Sequence, residues 1–142
     1  MLIEWLWRLT SSAAVLVWMG LIFYWSSLTQ VEVSGPLDSP AISWLGVLRS
    51  YLAHAVIYGV LASLAQASLW RWSPDYRLRW VLAAAAFATI YGISDEYHQS
   101  LVLGRSSSIS DAIVNSLGAT TAAAILWLVA AWWRGRLRPS SS

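Results

Sequence analysis

Four stretches of the chain stay almost free of charge for the length of a membrane-spanning helix. They are 9–28, "LTSSAAVLVWMGLIFYWSSL"; 51–70, "YLAHAVIYGVLASLAQASLW"; 78–96, "LRWVLAAAAFATIYGISDE"; and 111–133, "DAIVNSLGATTAAAILWLVAAWW". A helix rises about 1.5 Å per residue, so about 20 predominantly apolar residues cover a hydrocarbon core about 30 Å thick. The pattern therefore predicts an all-α membrane protein, a bundle of four transmembrane helices. The connector "TQVEVSGPLDSPAISWLGVLRS" mixes Gly, Pro, Ser and Asp and reads as loop with a short interfacial segment. "RWSPDYR" reads as a short turn around Pro74, and 134–142, "RGRLRPSSS", as a basic, disordered tail. The gaps are irregular and show no repeat, so 1–142 is expected to form one domain. A cleaved signal peptide competes for the first run, since Arg8 precedes it. The run is long for that purpose and lacks an A-x-A site, so a retained span is expected.

Composition supports the same reading. Hydrophobic residues make up 58% of the chain and charged residues 11%, with a mean hydropathy of +0.56. A soluble domain carries roughly 25% charge. Eleven tryptophans suit a chain that meets two membrane–water interfaces. The absence of Cys excludes disulfides and thiolate metal sites. A net charge of +2 is too small to suggest a nucleic-acid partner. Every basic residue is Arg, and their placement orients the bundle. With both termini cytoplasmic, Arg8, Arg71, Arg77, Arg79, Arg134, Arg136 and Arg138 lie inside and only Arg49 and Arg105 outside. The polar stretch between the third and fourth runs is then an external hairpin.

Polar residues gather at the ends of the runs that this orientation puts outside. The first run finishes with Ser26 and Ser27. The second begins with His54, with Tyr58 one turn deeper. The third finishes with Asp95, Glu96, His98 and Gln99, and the fourth begins with Asp111 and Asn115. Tyr91, Asp95 and His98 share a helical face, as do Asp95 and Gln99, His54 and Tyr58, and Asp111, Asn115 and Gly118. Three such faces can point into one cavity. Ionisable side chains at membrane depth are expensive unless paired or hydrated, which makes them functional candidates.

Structural roles stand beside each of these. "SISD" resembles a capping box, which would make Asp111 a helix cap for Ser108. Arg105 suits a solvated loop or an ion pair, and His54 a satisfied residue at a helix end. Tyr58 and Tyr91 suit packing with a satisfied hydroxyl. Ser26 and Ser27 suit bonds to helix carbonyls, Asn115 interhelical glue, and Gly118 a close-packing point with Ala119 and Ala122. Asp95 beside Glu96 is the hardest to explain this way. Two adjacent acids near a bilayer repel and lose hydration, so one is expected to hold a proton.

These residues together resemble the VanZ-like family, named for a membrane protein linked to resistance to the glycopeptide teicoplanin. The resemblance rests on Asp95, Glu96, Gln99, Gly104, Arg105, Asp111, Asn115 and Gly118 in "SDEYHQSLVLGRSSSISDAIVNSLGA". It extends to "FYWSS" at the end of the first run and to His54 and Tyr58 in the second, from about Phe23 to Gly118. Two positions depart from the family's habit. Ala122 stands where a second Gly is frequent, and Tyr51 and Leu52 stand where a Lys often precedes the His, with Arg49 nearby. The resemblance implies a small multi-span protein of the bacterial cytoplasmic membrane with a role in glycopeptide tolerance.

Three activities fit the polar stretch. The first is an outward-facing enzyme. Asp95 or Glu96 would be the general acid or base, with His54 or His98 completing proton transfer. Arg105 would clamp an anionic group, and Gln99, Asp111, Asn115, Tyr58 and Ser27 would bind and orient the substrate. Membrane lipids, a lipid-linked wall precursor, a phospholipid head group or a lipid-anchored glycan are the expected partners. No spacing here is diagnostic of a metal, and the cofactor is left open. The second activity is a non-catalytic binder that recognises the same ligands and alters drug access. The third, a proton or ion path, is weaker, because the inner halves of the runs are apolar apart from Ser63, Gln66 and Ser68.

Overall fold

The computed structural model describes residues 1–29, 43–73, 77–105 and 107–137. Among them are four helices and no strand: α1 (Leu2–Ser26), α2 (Ser43–Trp72), α3 (Leu78–Gln99) and α4 (Ile109–Leu137). The helices overrun the apolar stretches that announce them. α1 starts at Leu2 rather than 9, and α2 at Ser43 rather than 51. α3 ends at Gln99 rather than 96, and α4 runs on to Leu137 rather than 133. The physical reason is that a helix satisfies its own backbone and need not stop where hydrocarbon would. Its flanking turns are tolerated where Arg and Trp pair. The Arg8 guanidinium lies 5.5 Å from the rings of both Trp5 and Trp72, and that of Arg71 5.6 Å from Trp7. The segment expected as a tail is thus helical as far as Leu137. The remainder of the tail (138–142), most of the connector (30–42) and the Pro74 turn (74–76) lie outside the described residues.

Three of the four helices are long and apolar enough to cross a membrane: Leu2–Ser26, Gly46–Trp72 and Ile109–Gly135. α3 falls outside that set, since it carries Arg79 near its start and Asp95 and Glu96 near its end. α3 buries one face and leaves Leu82, Ile90, Ile93 and Tyr97 exposed on the other. It packs against all three others, and its buried positions run from Val81 through Ala84, Ala85, Ala88 and Gly92 to Asp95, Glu96 and Gln99. Its polar residues Asp95, Glu96 and Gln99 lie on the buried face, away from the exposed apolar one.

The core is built from small side chains, with Ala62, Ala84, Ala88, Ala119 and Ala123 fully buried. Small residues let backbones approach, and close approach is the main source of helix association in lipid. It is most extreme between α2 and α4. A Cβ at Gly118 would collide with the Ala55 carbonyl oxygen and lie 2.6 Å from Ala55 Cα, so only glycine fits. One turn further on, Ala122 occupies the position where a second Gly is frequent. Its Cβ faces Gly59, where an added Cβ would stand only 3.1 Å away. The two helices have exchanged which of them lacks the side chain.

α1 is attached differently. It contacts α2 and, less, α3, and has no packing contact with α4 among the described residues. Side chains reach across to main-chain carbonyls. Trp18 Nε1 donates to Ile57 O at 3.0 Å, and Tyr91 Oη to Met19 O at 2.8 Å. At the Arg–Trp end, Ser12 and Ser68 hydroxyls meet at 3.0 Å. The helices alternate in direction, and the opposite end collects the polar residues.

Candidate functional site

The adjacent acids of α3 point to different neighbours, because consecutive helical residues are turned by about 100°. Asp95 faces α2, where Tyr58 Oη donates to its Oδ2 at 2.8 Å. Gln99, one turn along α3, donates Nε2 to the same oxygen at 2.8 Å. Arg105 Nη2 donates in turn to Gln99 Oε1 at 2.8 Å. Gly104 makes that return possible. It holds a left-handed φ of 77°, which other residues adopt only at a cost, and the turn closes with Arg105 N–H on Val102 O. The spacing Gly-Arg therefore carries a backbone reason: the glycine bends the chain so the arginine reaches α3.

Glu96 faces α4. Its Oε2 accepts the backbone N–H of Ser108 at 3.1 Å, and its Oε1 lies 3.5 Å from Asn115 Nδ2 and 3.9 Å from His54 Nδ1. This corrects the capping-box reading. Ser108 does cap α4, its Oγ accepting the Ser110 N–H at 3.1 Å. The acid that takes the Ser108 N–H is Glu96 from α3, and not Asp111. Asp111 instead offers its carboxylate to the cluster, where one atom each of His54, Glu96 and Asp111 lies within 4.8 Å of the others.

Asn115 bridges the cluster. It is fully enclosed, and its Oδ1 lies 3.0 Å from His54 Nδ1. With the amide in that orientation, Nδ1 carries the hydrogen and donates to Oδ1. Gly92 leaves the room, since a Cβ there would stand 3.2 Å from both Asn115 Cβ and Tyr58 Cε1. Asp95 and Glu96 are each only 6% exposed, so the acids meet their partners largely out of solvent.

His54, Tyr58, Asp95, Glu96, Gln99, Arg105, Asp111 and Asn115 are thus brought to one end, where α2, α3 and α4 meet. Ser27 and His98 stand at the same end but on the α1 side. His98 Nε2 lies 3.0 Å from Ser27 Oγ, and its ring stacks on Phe23 with centroids 4.6 Å apart. Ser26 and Ser27 also bond the Phe23 carbonyl, as their helix-end position suggests. Arg49 is exposed on the first turns of α2. Two contributors escaped the sequence reading. The Ser108 main chain carries no residue signal. Gly92 carried one, because a glycine inside a helix costs about 1 kcal/mol against Ala and asks for a packing reason.

Alongside the cluster runs an apolar groove of about 620 Å³ on the α2–α4 seam. It extends from Leu52 and Ala55 past Gly118 to Ala67 and Leu126, and Leu52 and Ala55 flank His54 in the chain.

Set against known proteins, the chain matches one family model, described as VanZ/LLP1, over residues 12–130. The matched region includes every residue of the cluster. No curated protein and no solved structure matches the chain.

Proposed function

The chain belongs to the VanZ/LLP1 family, and from that premise we propose that its polar end is an acid/base site for a lipid-linked envelope substrate. All four helices cross the cytoplasmic membrane in this reading. α3 spans with its buried face against the other three helices, and Arg79 and the Asp95–Glu96 pair lie at opposite interfaces. The Arg–Trp end faces the cytoplasm with both termini, and the cluster faces outward.

The observation that carries the reading is the bonded series from His54 through Asn115 to Glu96, set beside a second series from Tyr58 through Asp95 and Gln99 to Arg105. The first offers a proton donor and acceptor held in fixed relation, which general acid/base catalysis requires. The second ends on a guanidinium suited to a phosphate or carboxylate. The groove supplies the lipid part of the argument. At about 620 Å³ it falls among small-molecule sites of about 300–1,000 Å³. An acyl chain lying along Gly59 and Ala122 would leave its head group beside His54 and Asp111. Glu96 or Asp95 then moves the proton, His54 assists, and Gln99 and Asn115 orient the head group. His98 and Ser27 dock α1.

The test is mass spectrometry of membrane lipids and wall precursors from cells expressing wild type or Glu96→Gln at matched folded levels. A species that changes only with wild type supports turnover and gives the substrate class. Identical lipid and precursor profiles contradict catalysis. A teicoplanin tolerance that depends on wild type, with those profiles unchanged, favours a second reading, a binder that alters drug access. The direct bonding of Arg105 to Gln99 favours that reading, since it makes the guanidinium part of a standing recognition network.

A further inference from the structure

Three ligand-capable side chains from three different helices converge at the head of the groove. Within the His54–Glu96–Asp111 group, one atom of each residue lies within 4.8 Å of the others. The surrounding bonds prepare them for a shared partner. Ser108 N–H fixes Glu96 Oε2, which leaves Oε1 directed toward His54 at 3.9 Å. Asn115 Oδ1 accepts the His54 Nδ1–H at 3.0 Å and so orients the ring, which leaves Nε2 as the nitrogen with a lone pair for a metal. Outer partners of this kind are what orient the ligands of a metal ion.

Asp111 supplies an independent observation. A helix-start acid ordinarily bonds its own cap, yet here Glu96 has taken that N–H. The Asp111 carboxylate makes no hydrogen bond to another described residue and faces a second carboxylate instead. The local charges tell the same story. Asp95, Glu96 and Asp111 bring three acids to this end. Arg105 is bonded to the Gln99 carbonyl oxygen, and no arginine–carboxylate pair involves these acids among the described residues. A cation between Glu96 and Asp111 would turn a repulsion into an attraction.

We propose that His54, Glu96 and Asp111 bind one divalent transition-metal ion of the zinc or manganese class. The imidazole selects that class, since magnesium and calcium prefer all-oxygen sites. Metal–ligand distances of about 2.0–2.2 Å at tetrahedral angles place the ligand atoms about 3.3–3.6 Å apart, so the group closes by up to about 1.5 Å on binding. When bound, the ion would act as a Lewis acid on an oxygen of the head group. With the ion bound, Glu96 and His54 would be ligands, and Asp95, bonded to Tyr58 and Gln99, would be the carboxylate left for proton transfer.

The full-length chain, carrying no histidine tag, is purified in detergent and stripped with a chelator. It is then titrated separately with Zn²⁺ and Mn²⁺. Bound metal per chain is read by elemental mass spectrometry after gel filtration, and the thermal midpoint is followed in parallel. The expected result is about one ion per chain and a raised midpoint, with Asp111→Asn or Glu96→Gln weakening binding at least about tenfold. His98→Ala should bind as wild type does. Folded wild type that holds neither ion overturns the site, whatever the variants do. So does an Asp111→Asn chain that binds like wild type, or a loss of binding confined to His98→Ala. Because lipid turnover is not read in this experiment, failure of the metal site leaves the lipid reading to stand or fall on its own test.

Discussion

The two histidines share one end of the bundle and differ in everything around them. His54 is half-buried where α2, α3 and α4 meet, 3.0 Å from Asn115 Oδ1 and 3.9 Å from Glu96 Oε1. His98 lies between α1 and α3, stacked on Phe23 and 3.0 Å from Ser27 Oγ. Ser27 already donates its hydroxyl to Phe23 O at 2.7 Å, so it accepts from the His98 Nε2–H. That hydroxyl is committed to a helix end and is not poised as a nucleophile. The seams on which the two residues sit differ in the same way. α2 and α4 meet backbone to backbone at Gly118 and Ala55, whereas α1 is tethered by Trp18 and Tyr91 reaching for main-chain carbonyls. One side of the bundle is fitted for a fixed constellation of polar groups, and the other for attaching a helix.

Several substitutions would break or sharpen that contrast. The largest effect is expected for Glu96→Gln, which keeps shape and the bond from Ser108 but removes the charge. Function should fall about 10²–10⁴-fold, the usual contribution of an acid/base group, while the thermal midpoint stays near wild type. Strong destabilisation in a thermal melt would move Glu96 to a structural role. Next comes Gly118→Val, which forces α2 and α4 apart. A cost of about 2–3 kcal/mol is expected, read as denaturant or thermal unfolding in detergent, together with loss of function. A stable, active Gly118→Val chain would mean the seam does not set the cluster. Tyr58→Phe removes one bond to Asp95 and should cost about 1 kcal/mol or less, in line with polar contacts between membrane helices. The smallest effect is expected for Ser27→Ala, within about 0.5 kcal/mol and without functional loss, as for an exposed position. A loss of activity there would merge the two sides that the structure separates.

Much of the cluster was legible before any coordinates, because the relevant signals are periodic. His54 with Tyr58, Asp95 with Gln99, and Asp111 with Asn115 sit one turn apart, and short connections between runs bring their ends together. What periodicity conveys is direction around one helix. It does not say which neighbour stands in that direction: His98 faces Ser27 and Phe23 of α1, and His54 faces Asn115 and Glu96. The Ser108 cap shows the same limit. "SISD" has the right residues for a capping box, yet a carboxylate from another helix competes for the N–H and wins. Helix lengths were underestimated because the apolar run measures hydrocarbon, whereas the helix continues through the zone of Arg8, Trp5 and Trp72. α3 was read as a span like the others, but its contacts with all three neighbours depend on packing that no single stretch of sequence encodes.

The most direct test of the account is a side-by-side comparison of His54→Ala and His98→Ala in cells, at matched levels of folded protein. The readout is the wild-type-dependent lipid or precursor change, or the drug tolerance that accompanies it. The account predicts that His54→Ala abolishes that change and His98→Ala retains it. Loss in His98→Ala with retention in His54→Ala, both folded, would place the function on the α1 side and contradict it.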